Sequence, residues 1–374
     1  MRKEDLKLTI SGVLNKLPQQ ESRSKALIGL DGFIDKIQRP VRFQQASGSQ
    51  YYSSLDSFGQ RIKEAADQSA QIELQTKTIK LGGNAPIFAH SLGHLQVQSV
   101  CLGTFGLPQI HPVFQKIHAN CQLISLGDAA ETNALEFDDG KLILSELSSF
   151  STLDWQQVKE QVNLEELVDY ASQVQMIGLV DWCNLPHASD IWLGFYQDVV
   201  QAEVNQQPMF FFDLADPSKK SSEEVKQVID IISGFSKYGQ VTLGLNENET
   251  LKLSEFLGLS VTTKDDHQRL ATQGRLLFKI MDIAQLLIHP IDGCFLINAQ
   301  EEHYLPGRVV ENPLVSTGGG DNFNAGFCFG QLNGFNGLES MALAMATSGS
   351  YVQHGISPDL EGLRDYLVNW QNEL

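Results

Sequence analysis

The segment STGGGDNFNAGF, residues 316–327, places three consecutive glycines, Gly318, Gly319 and Gly320, directly before Asp321 and an apolar stretch of helical character. Glycines at such a junction let successive backbone N–H groups turn toward one point, and the positive end of the helix behind them favours an anion there. The pattern predicts a phosphate cradle. An aspartate beside a bound phosphoryl group would accept the proton of an attacking hydroxyl while the amides take up developing negative charge. The competing reading is a Gly-rich turn in which Asp321 only caps the helix, a frequent use of Asp.

Upstream of this loop, short apolar runs alternate with helix-like stretches, the pattern of a parallel sheet covered by helices. The runs are KALIGLD (25–31), QSVCLGT (98–104), CQLISLG (121–127), QMIGLVD (175–181), MFFFDLA (209–215), QVTLGLN (240–246) and CFLINA (294–299). Ligands of such sheets gather beyond the carboxyl ends of the strands, which places Asp31, Asp181, Asp213 and Asn246 at that edge. Two segments depart from the alternation. NALEFDDGKLILSEL (133–147) reads as a hairpin about an Asp-Asp-Gly turn, and QIELQTKTIKL (71–81) alternates just before a double glycine. Together they predict a small sheet outside the main body. Between them and the first strand, SLDSFGQRIKEAADQ (54–68) reads as a helix with Leu55, Phe58, Ile62 and Ala66 on one face.

At 374 residues with 42% hydrophobic and 19% charged content, the chain describes one well-packed α/β unit, with no repeat or linker to divide it. A net charge of −18 argues against a nucleic-acid partner, because binding a phosphate backbone takes clustered Lys and Arg. It does not exclude a nucleotide held by backbone amides. The charged, amphipathic N-terminus and the lack of a long apolar run predict a cytoplasmic protein that binds no membrane. Five cysteines form no CxxC pair and leave an odd one, which fits reduced thiols. His90 and His94 are spaced for one helix face but lack the glutamate of a zinc-protease motif. A Walker loop, a dinucleotide fingerprint and a GxSxG elbow are all missing.

The 316–327 segment resembles the C-terminal motif of the ribokinase-like (PfkB) carbohydrate kinases, in which a Gly-x-Gly-Asp turn supplies an anion hole and the catalytic base. The match covers Gly318, Gly320 and Asp321 and continues through Phe323, Ala325 and Gly326. TLGLNENE (242–249) is similar to the family's Asn-x-x-Glu motif, which implies that Asn246 and Glu249 help hold Mg²⁺ through water near the nucleotide. LGGNAPIFAHSLGHL (81–95) resembles the N-terminal Gly-Gly motif, implying substrate contact at Gly82, Gly83 and Asn84. GLDGFIDKI (29–37) resembles the first strand and its acidic residue, so either Asp31 or Asp35 would bond sugar hydroxyls. Thr317, Asp292, Gly293 and Ser350 are the further nucleotide contacts it implies, the adenine lying between residues 288–293 and the helix at 341–352. Two positions depart from the pattern: Ile87 stands where an Asn is customary, and Val315 where many members carry an Asp near a monovalent cation.

The resemblance implies a doubly wound three-layer α/β/α sandwich spanning residues 1–374, with a small β-sheet lid from segments near 36–81 and 133–147. It implies an ATP- and Mg²⁺-dependent phosphotransferase acting on a hydroxyl of a sugar or sugar-like molecule, with Asp321 as base and Gly318, Gly319 and Gly320 as anion hole. A homodimer through the lid would follow. A nucleoside kinase and a catalytically inactive sensor on the same fold are the alternatives, and related ADP-dependent sugar kinases share two of the motifs.

Overall fold

The computed structural model describes residues 1–17, 24–46, 48–203, 207–315 and 317–374. Its strands, in chain order, are β1 (Lys25–Gly29), β2 (Phe33–Gln45), β3 (Gly48–Tyr51), β4 (Leu74–Gly82), β5 (Gln98–Gly103), β6 (Cys121–Ser125) and β7 (Ala130–Glu136). They continue as β8 (Lys141–Glu146), β9 (Met176–Leu179), β10 (Met209–Asp213), β11 (Gln240–Asn246), β12 (Gln285–His289), β13 (Gly293–Asn298) and β14 (Glu302–Pro306).

Nine of them build the central sheet in the order β14-β13-β12-β11-β10-β9-β1-β5-β6. From β12 to β6 all neighbours are parallel, and β13 and β14 close one edge as antiparallel strands. The side-chain period of two divides each strand between two cores. Leu27, Phe210, Phe212, Leu286 and Ile288 enter one apolar cluster, while Ala26, Ile28, Phe211 and Leu287 enter the other. Helices cover both faces, completing the doubly wound α/β/α sandwich. All seven predicted runs are strands, each ending up to two residues earlier than its apolar stretch.

The other five strands form a separate small sheet. β2 is its centre, antiparallel to β3 and β4 and parallel to β7, and β7 returns as β8 about the Asp138-Asp139-Gly140 turn. The sequence reading did not identify β2. Its residues, FIDKIQRPVRFQQ, mix charges with a proline and do not alternate cleanly, because the first part is buried on both faces. β12 was hidden for a different reason: its short apolar run merges into the Pro290 turn, so residues 288–293 read as turn alone.

The helix Leu55–Glu64 is shorter than the 54–68 expectation. Ser54 caps it, accepting from the Ser57 N–H at 3.2 Å. Phe58 alone of its predicted apolar face is buried, packing with Tyr52, Leu135 and Phe137, whereas Ile62 is 51% exposed.

Phe211 ties the central strand β10 to the helix Asn84–His94. Its ring lies 5.6 Å from that of Phe88, and it leaves no room for a side chain at Gly244 on β11. Replacing it with alanine removes a fully buried ring from the middle of the sandwich. Phe211→Ala is expected to cost about 3–5 kcal/mol of stability, read by equilibrium urea denaturation. A loss below 1 kcal/mol would contradict this packing.

Candidate active site

The helix Gly319–Leu332 begins where the glycine loop predicts it. Gly318 is its N-cap, in the left-handed region at φ 90°. Only glycine adopts that conformation without strain. A side chain there would also strike the Tyr351 hydroxyl, which donates to the Thr317 carbonyl at 3.0 Å and so pins the loop. Asn322 closes the first turn, its Nδ2 donating to the Gly318 carbonyl at 2.8 Å. The N–H groups of Gly319, Gly320 and Asp321 belong to the first helical turn, whose donors find no partner within the helix. Ser316 lies outside the described residues.

Asp321 stands half-buried in this turn. Burial pushes its carboxyl well above the ordinary carboxylate range, and the neighbouring Asp213, Asp31 and Glu249 push it further. These groups sit at the carboxyl ends of successive strands β1, β10 and β11, with Asp181 after β9 between them. Asp213 is held by the Ala215 N–H at 2.9 Å and by Asn324 Nδ2 at 2.7 Å. Burial and then the charge of Asp31 drive the Asp181 carboxyl well above its ordinary range. Asp31 rises too, by burial, but two backbone donors oppose the rise.

Those donors give Asp31 a structural task that the sequence concealed. Its two carboxylate oxygens accept from the N–H groups of Asn84 and Ala85, both at 2.7 Å, capping the helix Asn84–His94. Gly83, which occupies the N-cap position at φ 99°, has no side chain with which to do this. A Cβ on Gly83 would meet Asp31 Oδ2 at 2.5 Å, and one on Gly82 would collide with the Asp35 carboxyl. The double glycine therefore admits two carboxylates to one corner. Asp35 lies on β2 opposite Lys80 of β4. Burial raises its carboxyl, and the ammonium groups of Lys80 and Lys141 oppose the rise. Both oxygens of Asp31 are thus engaged by the helix start. Ile87 is buried and packs against the Gly318 position, so the departure from the expected polar residue is a packing contact.

Asn246 and Glu249 form a reciprocal capping box at the start of the helix Glu247–Phe256. Asn246 Oδ1 accepts from the Glu249 N–H at 2.9 Å, and the Glu249 carboxyl accepts from the Asn246 N–H and Nδ2 at 2.8 and 2.7 Å. Burial and the charge of Asp213 lift Glu249 well above its ordinary range. Both carboxyl oxygens are thus engaged, which fits Mg²⁺ approached through water rather than ligated directly. Among the described residues no group of three or more His, Cys, Asp or Glu is arranged to hold a metal ion. The His94 ring meets that of His90 edge-on and lies tilted against that of His118, and His90 Nδ1 accepts from the His118 N–H at 3.0 Å.

A cavity of about 780 Å³ opens beside the glycine loop. Gly319, Gly320, His289, Met345, Ser348 and Val352 are among its walls. Asn246 also lines it, but Asp292, Gly293 and Ser350 do not. Residues 345, 348, 349 and 352 share the cavity-facing side of their helix, whereas Ser350 turns away and its hydroxyl meets His354 Nδ1 at 3.4 Å. Asp292 is drawn off by His267 at 2.9 Å, and Gly293 starts β13 packed against Leu305 and Tyr304. The same turn and helix instead contribute Pro290, Ile291, Ser348 and Gly349 to the cavity wall. Thr317 borders the loop rather than this cavity, its hydroxyl bonded by Lys141 Nζ at 3.1 Å.

His289 is the site residue that sequence reasoning missed. It ends β12, its ring 4.6 Å from that of Phe323 and in van der Waals reach of the Gly320 position. Burial lowers it to about 4, so the ring is neutral. Its place at a strand's carboxyl end was the available signal, lost with the strand itself. Near Val315, the N–H groups of Leu314 and Val315 both reach the Val352 carbonyl, at 3.0 and 3.4 Å.

Comparison with known proteins agrees with this geometry. The chain is similar to a ketohexokinase of Haloferax volcanii, 24% identical over 353 residues that cover 94% of this chain and 92% of the relative. Its fold matches an Arabidopsis thaliana ribokinase complexed with ribose and ATP, with a TM-score of 0.65 at 13% identity over 92% of this chain and 98% of that one. It also matches the Escherichia coli phosphofructokinase-2 in complex with substrates and products, with a TM-score of 0.62 at 11% identity over 93% and 99%. The family described as prokaryotic ketohexokinase matches residues 3–370. Almost the whole chain is accounted for by that match, and it belongs to the prokaryotic ketohexokinase family, among the ribokinase-like (PfkB) carbohydrate kinases.

Proposed function

We propose that this carbohydrate kinase transfers the γ-phosphoryl group of ATP to a hydroxyl of a ketohexose, with Asp321 as the base. The observation that carries the reading is the first turn of the helix Gly319–Leu332, where amide donors and a carboxyl with raised proton affinity share one opening beside a 780 Å³ cavity. The nucleotide occupies that cavity with its terminal phosphate on the Gly318–Asp321 amides. Helix dipole and N–H groups then face the charge that develops on the transferring group. The sugar lies across the opening, held by Asp35 and Asn84 beside Gly82 and Gly83, while Asp31 fixes the helix start beneath it.

Mg²⁺ on the nucleotide phosphates, approached through water by Asn246 and Glu249, would neutralise negative charge. The surplus of carboxyls at this edge, forced toward their protonated forms by one another, supports such a cation. The small sheet serves as the lid, excluding water as a competing acceptor. Leu74, Ile79, Ile143 and Leu144 leave apolar surface on that sheet, and this supports a homodimer through it. Ile143→Asp with Leu144→Asp should then halve the mass measured by light scattering. An unchanged mass removes the dimer.

Asp321→Asn is expected to lower turnover by about 10²–10⁴ with nucleotide binding intact, the range for losing a positioned base. Near-normal turnover would exclude Asp321 from that role. Because the base must be ionised and its proton affinity is raised, activity should fall on the acid side at a pH above the ordinary carboxylate range. A wild-type kcat/KM profile flat down to that range would contradict the electrostatic picture. ADP formation across fructose, ribose and adenosine should be fastest with fructose. Preference for adenosine points instead to a nucleoside kinase, and binding without turnover points to a sensor.

A further inference from the structure

We propose that the imidazole of His289 donates a hydrogen bond to the β-phosphate of the nucleotide and so stabilises the charge that the breaking bond delivers to the leaving group. The proposal deepens the kinase reading above and rests on it. Its starting point is a position in the sheet. β11 and β12 run parallel, and Asn246 and His289 stand side by side as their last residues. The chain then turns at Pro290 and Ile291, two further residues of the cavity wall.

The ring lies against the glycine loop. A Cβ on Gly320 would stand 3.5 Å from His289 Cε1, the ring carbon to which both nitrogens are bonded. His289 lines the 780 Å³ cavity together with Gly319 and Gly320. Phe323, one turn along the helix Gly319–Leu332, packs on the imidazole with ring centres 4.6 Å apart and planes at 33°. The ring is therefore held by an apolar face while its polar edge is unspent. Among the described residues, no other residue is hydrogen-bonded to a ring nitrogen of His289. His90, His118, His187, His267 and His354 by contrast each use a ring nitrogen on a protein group.

The site has a place for such a donor. A nucleotide whose terminal phosphate sits on the Gly318–Asp321 amides must lead its remaining phosphates away from them along the cavity wall. His289 directly precedes Pro290, so its ring borders that path next to the amides. Arg308, the cation on the same wall, turns Nε and Nη2 to Glu373 and lies 4.9 Å from the centre of the Tyr366 ring. A neutral imidazole carries one N–H and no charge. It can therefore donate to a phosphate oxygen without repelling a cation bound to the same phosphates. Burial keeps the ring in that neutral form.

In the step, the bond from the acceptor oxygen to the γ-phosphorus forms and the bond from that phosphorus to the β–γ bridging oxygen breaks. The electron pair leaves with ADP, and the hydroxyl proton goes to Asp321. His289 keeps its proton throughout. Its N–H faces the oxygens on which negative charge grows, so the hydrogen bond is stronger at the end of the step than at the start.

Full-length His289→Phe, His289→Leu and His289→Asn test this, with folding checked by thermal melting and nucleotide affinity by calorimetry. Phe keeps a ring against Phe323 without a donor, and Leu and Asn are of similar size but only Asn donates. His289→Phe and His289→Leu should lower kcat/KM for ATP by about 10–100-fold and weaken ADP about tenfold, while AMP affinity and the KM for fructose stay near wild type. His289→Asn should retain most of the wild-type values. Equal losses for AMP and ADP would show that the ring only shapes the cavity, overturning the proposal. Wild-type kcat/KM in His289→Leu overturns it too, as does His289→Asn losing as much as His289→Leu. Should the wild type phosphorylate no sugar, the kinase reading fails separately, and the comparison of ADP with AMP still decides the role of His289.

Discussion

Like charges crowd the carboxyl edge of the central sheet, and much of the surrounding structure answers that crowding. Parallel strands all end on one side, so acidic residues following β1, β9, β10 and β11 are brought to a single row whatever their separation in sequence. Each is managed by a different device. Asp31 accepts two helix N–H groups, Asp213 accepts a backbone N–H and an amide, and Glu249 is wrapped by Asn246. Asp181 accepts from Asn184 Nδ2 at 2.6 Å, and burial drives its proton affinity well up. Asp321 stands in the first turn of its helix, where the helix dipole favours the charged carboxylate while burial and the neighbouring carboxyls oppose it.

The same constraint explains the glycines. Two carboxylates approach the β4-to-helix corner so closely that only Gly82 and Gly83 fit beneath them, and Gly318 bends the loop in a conformation that side chains avoid. Backbone thus replaces side chain wherever donors must converge. Backbone donors carry no titratable charge, so they can converge in an acidic protein of net charge −18 without a cluster of basic residues.

The small sheet adds what the sandwich lacks. Its Lys80 and Lys141 act on Asp35, and its position is set by packing of Phe58, Tyr52, Leu135 and Phe137 in a satellite core of its own. A separate core permits the sheet to be held as a unit beside the sandwich, with β2 following β1 after a short connection.

Motifs whose chemistry depends on neighbouring residues were legible in the sequence: the triple glycine before Asp321, the double glycine before a helix, the Asn-x-x-Glu quartet and the buried strands that each lead to a polar end. Local backbone geometry and period-two burial act within a few residues, so order along the chain suffices to state them. The same locality made the 133–147 hairpin visible. What the sequence left undecided depends on contacts between distant segments. Capping of residues 84–85 by Asp31 spans more than fifty positions. Ser348 rather than Ser350 lines the cavity because packing sets the rotation of that helix. β2, β12 and His289 emerged only with the sheets assembled, since a strand buried on both faces or merged into a turn has no periodic signature. Lys141 meets Thr317 across 176 positions, and only tertiary packing can bring a charge that far to a loop.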